Sequence, residues 1–473
     1  MPILINRPPY DSAVAAAFGR RTDVVPTGHP QWSPRIGFNW DVTGDQMNQI
    51  RGGAGVFVGP PPLAWLLSAY ANFGKGLGVL SCNGNPPPFD PDYANPPLAC
   101  ASGSGTSSTK PVVTFLDPNL KFPETLRASL GYDRRLPWGL VATVEGLYTK
   151  NLDDFFYADR NLAGPIGVDP HGRSMYGTFG NNGLATPTLI SPAFPKQVIE
   201  LTNQSRNYSY SVTAQLQKRL SPSLEASAAF NYSRVRDVQT PLAVGAYDNW
   251  QSGRAVAGDE LRQNLGISGY DQPRRVVFSA TYTFPWQRWS TDVSLVYIGE
   301  SGLPYTYFAN GDPRTGDLNA DGTTQNDPVY IPKSTSDTLE VRFSGTAAEV
   351  AAQQAAFDRF LRDTPCVNAQ RGRIMERNSC RSPWRNTTNL SIRQSLPTRP
   401  GHTLTLQVDI FNVLNLVNKH WGLLKIPNTA LLTQVAGPAV QQPIFRFDPA
   451  FLPYSSQNLY SYYQIEVAAR YSF

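Results

Sequence analysis

Asp317, Asn319, Asp321 and Gly322 stand in the order D-x-N-x-D-G, the first half of a calcium-binding loop. Carboxylate and amide oxygens at alternate positions can wrap a hard cation, and glycine at the sixth position permits the sharp turn of the wrap. The twelfth position, where such loops carry a bidentate Glu, is Pro328, and Asp327 is the nearest substitute. The spacing predicts either a weak calcium site built from Asp317, Asn319, Asp321 and Asp327 or a polar, turn-rich loop that binds nothing. Without an ion the carboxylates should repel one another and splay the loop into water.

The four cysteines fall as two sequence-local pairs, Cys82 with Cys100 and Cys366 with Cys380, in regions that read as long loops. No C-x-x-C spacing occurs and the four His are isolated, which favours two local disulfides in an oxidising compartment over zinc. There is no P-loop, H-E-x-x-H or G-x-S-x-G motif. Glu145, Glu225, Asp409 and Glu466 sit on the polar faces of alternating segments, where solvated carboxylates are expected. No catalytic residue and no required cofactor is assigned.

The elements that must carry these loops are strands. Leu404, Leu406, Val408 and Ile410 alternate with Thr403, Thr405, Gln407 and Asp409. Ile465, Val467, Ala469, Tyr471 and Phe473 likewise share one face, with Gln464, Glu466, Ala468, Arg470 and Ser472 on the other. The same period of two recurs around Phe38, Leu130, Val212, Ala228 and Phe278, the mark of a strand with two different faces. Short turns at 43–48, 136–139, 220–223, 285–290 and 397–401 alternate with long segments at about 59–121, 163–204, 238–266, 311–385 and 419–457. Transmembrane barrels alternate in this way because periplasmic turns are tight and extracellular loops are free to grow. A sandwich has no reason to put every long loop at one end.

The expected fold is therefore all-β: an antiparallel transmembrane meander of about eleven strands, read as one domain over residues 1–473. If the strand ending at Phe473 runs inward, every short turn falls on the periplasmic side. Trp40, Tyr132, Trp138, Tyr148, Tyr232, Trp286 and Tyr297 near strand ends suit interfacial aromatic girdles. Residues 347–362 read as an amphipathic loop helix, with Val350, Phe357, Phe360 and Leu361 near one stripe, packing on the barrel rim.

Composition agrees. Charged residues make up 16% of the 473-residue chain, against roughly 25% in soluble domains. The chain holds 22 Tyr, 23 Phe and 9 Trp, which suits a surface facing something other than water. No apolar run is long enough for a helical span. A net charge of +5 is too small and scattered to suggest nucleic acid. The first residues, MPILINRPPYDS, do not read as a signal peptide, so the chain is expected to be a fragment.

Residues 407–418, QVDIFNVLNLVN, closely resemble the penultimate strand of TonB-dependent receptors, above all the Oar-like branch. QWSPRIGFNW (31–40), LRASLGYDRRLPWG (126–139), YSVTAQLQKRLS (210–221), YDQPRRVVFSATYTFP (270–285), SGLPYT (301–306) and RGRIMERNSCRSPW (371–384) look like the same branch. The resemblance covers most of the chain. It implies an outer-membrane receptor barrel whose loops bind a siderophore, vitamin, carbohydrate or peptide for TonB-driven uptake. Phe473 resembles the terminal signal read by the barrel-assembly machinery. Family members have 22 strands, a plug and a TonB box; about half the strands and no plug are recognised here, so contact with the TonB complex would run through further N-terminal parts. The alternatives are a surface or adhesive protein that transports nothing, and a soluble secreted β-sandwich.

Overall fold

The structure of the chain, a computed structural model, describes residues 8–60, 63–72, 79–92, 95, 97–108, 112–180, 183–286, 289–310, 316–435, 443–456 and 458–473. Its main sheet contains an unbroken antiparallel meander of eleven strands, in which neighbours in sequence are neighbours in space. These are β1 (Arg35–Asp41), β2 (Asn48–Val58), β3 (Glu124–Leu136), β4 (Leu140–Asp159), β5 (Tyr208–Ser221), β6 (Leu224–Asp237), β7 (Arg274–Pro285), β8 (Ser290–Glu300), β9 (Arg385–Pro397), β10 (Thr403–Phe411) and β11 (Gln464–Ser472). Among the described residues β1 and β11 each have one strand partner, so the sheet is an open, curved part of a barrel.

The register sorts the side chains as the period of two requires. Leu404, Leu406, Val408 and Ile410 lie opposite Tyr471, Ala469, Val467 and Ile465, while Thr405 and Asp409 lie opposite Arg470 and Glu466. Across the other half, Phe38, Gly52, Leu130, Gly146, Val212 and Tyr232 are successive partners on the apolar face. Gly52 is needed there, because a Cβ would stand 2.9 Å from both the Phe38 ring and the Ser129 carbonyl oxygen. The apolar face is open: Val467 is 74% exposed. By register, the charged residues on it lie at its ends, with Arg134 and Lys218 toward the turns and Glu124, Lys150, Arg234, Arg236 and Arg274 toward the loops. An apolar band with charges only at its margins is the lipid-facing surface of a transmembrane barrel.

The opposite face is polar and internally bonded. Arg51 pairs with Asp133 at 2.9 Å and Glu145 at 2.6 Å. Asn231 Nδ2 donates to Thr213 Oγ1 at 2.8 Å, and Gln407 Nε2 to Asp409 Oδ2 at 2.8 Å. The carboxylates seen in the sequence on these faces thus belong to a hydrated lumen. Tight turns close one end: Asp41 accepts from the amides of Gly44 and Gln46 at 3.0 and 2.8 Å, and Trp138 takes a left-handed φ of 65° in the 137–139 turn. Trp40, Tyr132, Trp138 and Trp286 lie toward this end, and Tyr148, Tyr232 and Tyr297 toward the other.

The long connections are not structureless, and they hold the buried core. Helices α1 (Ser12–Phe18), α2 (Leu63–Ala71), α3 (Ala246–Ser252) and α4 (Ala347–Asp363), with several short strands, pack over the loop end of the sheet. Leu66, Phe155, Tyr157, Ile199, Leu201 and Trp250 form one buried cluster. Tyr307, Ile331, Phe357, Leu361 and Phe447 belong to a larger one. Helix α4 starts with a full capping box between Thr346 and Glu349. It packs inside this loop core rather than on the barrel rim, with Phe357 4.9 Å from Phe447 and 5.8 Å from Phe343, ring centre to ring centre. Both disulfides form between the expected partners, with Cα–Cα separations of 5.7 Å for Cys82–Cys100 and 5.3 Å for Cys366–Cys380. Phe473 follows β11 and is 94% exposed.

Candidate functional site

The D-x-N-x-D-G segment curls inward. Asp317 accepts from the amides of Asp321 (3.2 Å) and Gly322 (2.9 Å), Asn319 Oδ1 from Asp321 (3.0 Å), and Asp321 Oδ1 from Thr323 (2.8 Å). Ala320 (φ 57°) and Gly322 (φ 94°) take the left-handed conformation the curl needs. A side chain at 322 would also strike Gln197, whose Nε2 lies 2.7 Å from the Cβ position.

The loop does not splay into water. Asp317, Asn319, Asp321 and Asp327 are all buried. The cause is the company it keeps: the Tyr176 amide donates to the Asn319 carbonyl (2.7 Å), Val256 to Asn326 (2.8 Å) and Ser174 to Ala257 (2.9 Å). Three loops that are remote in sequence are thereby knitted into one layer.

Asp327 is engaged by a cation of the protein itself. Buried Arg173 donates from Nη1 to Asp327 Oδ1 at 3.0 Å and from Nη2 to the Pro328 carbonyl, and the Leu318 amide donates to Asp327 Oδ2 at 2.9 Å. The further carboxylate facing Asp321 is Glu260, which sequence reading passed over. Asn319 Nδ2 lies 3.1 Å from Asp321 Oδ2 and 3.3 Å from Glu260 Oε1; Asn326 Nδ2 lies 2.7 and 3.3 Å from the same oxygens. Among the described residues no three acidic, His or Cys side chains converge at ligating distance. Burial pushes the Asp327 carboxyl up to about 8, partly offset by Arg173. Burial, then the charge of Asp321, raises Glu260 and Asp317 well above the usual carboxylate range. Nothing local marked Glu260 or Arg173, which join the site only through tertiary packing, whereas Asn326 lies in the same loop five residues after Asp321.

Against this cluster lies a cavity of about 480 Å³ between the loops, with Leu318 and Arg173 in its wall. Its lining also includes Asp169, His171, Met175, Phe179, Tyr330, Glu340, Arg342 and Phe445. His171 stacks on Tyr330 with ring centres 3.7 Å apart. The Tyr330 hydroxyl donates to Glu340 at 3.0 Å, which fixes the ring. Burial holds His171 below the ordinary imidazole value. The arrangement offers a flat aromatic wall, an apolar floor and the guanidinium of Arg342, fittings for a small ligand with an apolar or planar body and a polar end.

Among solved structures, the ferric enterobactin receptor PfeA of Pseudomonas aeruginosa is similar over 93% of this chain and 39% of its own, at 10% identity and a TM-score of 0.39. The outer membrane transporter YddB of Escherichia coli is similar over 86% and 39%, at 11% identity and a TM-score of 0.42. The siderophore receptor PirA of Acinetobacter baumannii is similar over 81% and 37%, at 10% identity and a TM-score of 0.36. The chain spans about two-fifths of the length of these proteins. No curated protein matches it. The sequence profile described as "Outer membrane beta barrel domain" matches residues 9–437. With the apolar band of its sheet, this match identifies the chain as a bacterial outer-membrane protein and a member of the outer membrane β-barrel domain family.

Proposed function

We propose that this chain is the ligand-binding part of an outer-membrane receptor for TonB-driven uptake. The observation that carries the reading is the cavity between the loops of residues 160–207, 301–384 and 412–463, built from folded segments at the loop end of the sheet. Loops that only spaced the strands would have no need of a buried core. The open edges of β1 and β11 support a further point: backbone groups facing lipid must be paired, so additional strands are required to close the barrel. Coupling to the TonB complex would run through a plug associated with that closed barrel.

A panel of ferric siderophores, cobalamin, oligosaccharides and short peptides, titrated onto the chain in detergent, tests the reading. One class should bind saturably, and both Tyr330→Ala and Arg342→Ala should weaken it at least tenfold. Failure of every class, or binding untouched by both substitutions, would point instead to a surface protein that transports nothing.

A further inference from the structure

Glu260, Asp317 and Asp321 are buried, and among the described residues none of them forms a salt bridge; Arg173 is paired with Asp327, and the buried guanidinium of Arg254 acts on Glu260 from beyond ion-pairing distance. Three neighbouring buried carboxylates need compensation, since a buried charge without a partner is strongly unfavourable.

A second observation is independent of the acids. Asn326 is buried, its amide head lies against Asp321 and Glu260, and its Oδ1 has no hydrogen-bond partner. A buried amide oxygen without a donor calls for an explanation. Turning the amide about its last bond would place Oδ1 where Nδ2 now stands, within 2.7 Å of Asp321 and 3.3 Å of Glu260. An oxygen there needs a positive ion, or a proton on one of the carboxyls, between it and the carboxylates. Asn319 is bonded to the same two carboxylates, but its Oδ1 already accepts from the Asp321 amide at 3.0 Å.

We propose that Asp317, Asn319, Asp321, Glu260 and Asn326 form a calcium site that clamps three external loops together behind the ligand cavity. The ligand set is all oxygen, as calcium prefers, with Glu260 supplying from a different loop the carboxylate that Pro328 cannot. Asp327 positions the loop through Arg173 and the Leu318 amide instead of binding the ion. The Asn326 amide turns its oxygen inward when the ion enters, Asn319 shifts to share its Oδ1 with the ion, and backbone carbonyls or water complete the shell. Leu318 and Arg173 belong to the clamped layer and to the cavity wall, so the ion also shapes the cavity. The site stands whether or not the receptor reading does, because it is read without any organic ligand.

The test is calcium alone, added to the full chain in detergent after chelation, followed by calorimetry and by hydrogen exchange. One equivalent should bind with Kd of order 10⁻⁴–10⁻³ M, the class of extracellular sites. Exchange should slow at least tenfold in residues 172–177, 254–262 and 316–328 together, and not in the membrane strands. Asp321→Asn and Glu260→Gln should each weaken binding at least tenfold, while Glu349→Gln, an exposed carboxylate on α4, should leave it unchanged. The exchange footprint on the unsubstituted chain decides the matter even if a variant fails to fold. No saturable binding by about 10 mM, above that class, or a footprint missing from residues 254–262, would overturn the proposal.

Discussion

Arg173 Nη1 stands 3.0 Å from Asp327 Oδ1, both side chains are buried, and the two residues are 154 positions apart. This pair fastens the loop after β4 to the loop after β8, beside the cavity whose wall includes Arg173. Removing one partner of such a pair leaves a buried charge uncompensated. Above about pH 8, where Asp327 is ionised, Arg173→Met should therefore cost about 3–5 kcal/mol of local stability. Hydrogen exchange should show the loss in residues 160–207 and 316–335, with β5 to β8 protected as before. A cost below about 1 kcal/mol, the range of exposed pairs, would mean that the joint is not structural.

The pH response of the cavity follows from His171. Its folded value is lowered, chiefly by burial, so the folded state binds its proton less readily than the unfolded chain does. The stack on Tyr330 is therefore fully favoured above about pH 6.5, the unfolded value. It loses stability as pH falls below that point, until the folded imidazole also protonates. Exchange at the imidazole C2 position, followed by mass spectrometry across pH, should report a value below about 6.5 for His171. A value at or above it would place the ring in water instead of in the stack.

The two disulfides should differ in effect. Cys380 is buried in the large loop core, and its neighbourhood pairs with Pro304–Tyr305, whereas Cys82 and Cys100 lie in a more open loop. Replacing Cys366 and Cys380 with Ser should destabilise the α4 region by about 3 kcal/mol, read as faster exchange in α4. The same double change at Cys82 and Cys100 should leave α4 untouched. Equal effects at α4 would contradict the separate placement of the two links.

Period-two alternation made the meander legible, because every strand puts one row toward lipid and one toward the lumen and thus writes its register into residue types. The same rule located the turns and the long connections. It could not show that those connections fold, since Phe343, Phe357 and Phe447 meet across the chain with no period linking them. Three of the five residues of the cluster were readable for the opposite reason: Asp317, Asn319 and Asp321 are neighbours in one loop. Glu260 enters from a tertiary contact, Asn326 from the same loop five residues on, and the guanidinium of Arg173 removes Asp327 from the ligand set for a reason no spacing contains.

Facing in β10 sets the cost of a charge. Val408→Arg, near the middle of the apolar face, should destabilise the folded protein by about 2–4 kcal/mol in lipid. Gln407→Arg, one residue away on the lumen face, should have little effect, as measured by unfolding in liposomes. Equal costs at the two positions would be incompatible with the register of β10 against β11.

Spin labels placed singly at positions 403 to 410 of the protein in outer-membrane lipid, read by collision with oxygen and with a water-soluble nickel chelate, probe the transmembrane sheet most directly. Oxygen collisions should peak at 404, 406, 408 and 410, and nickel collisions at 403, 405, 407 and 409, following the faces defined by pairing with β11. Strong nickel collisions at 404, 406, 408 and 410 would show that the apolar row faces water, and the sheet would not then be a membrane-spanning one.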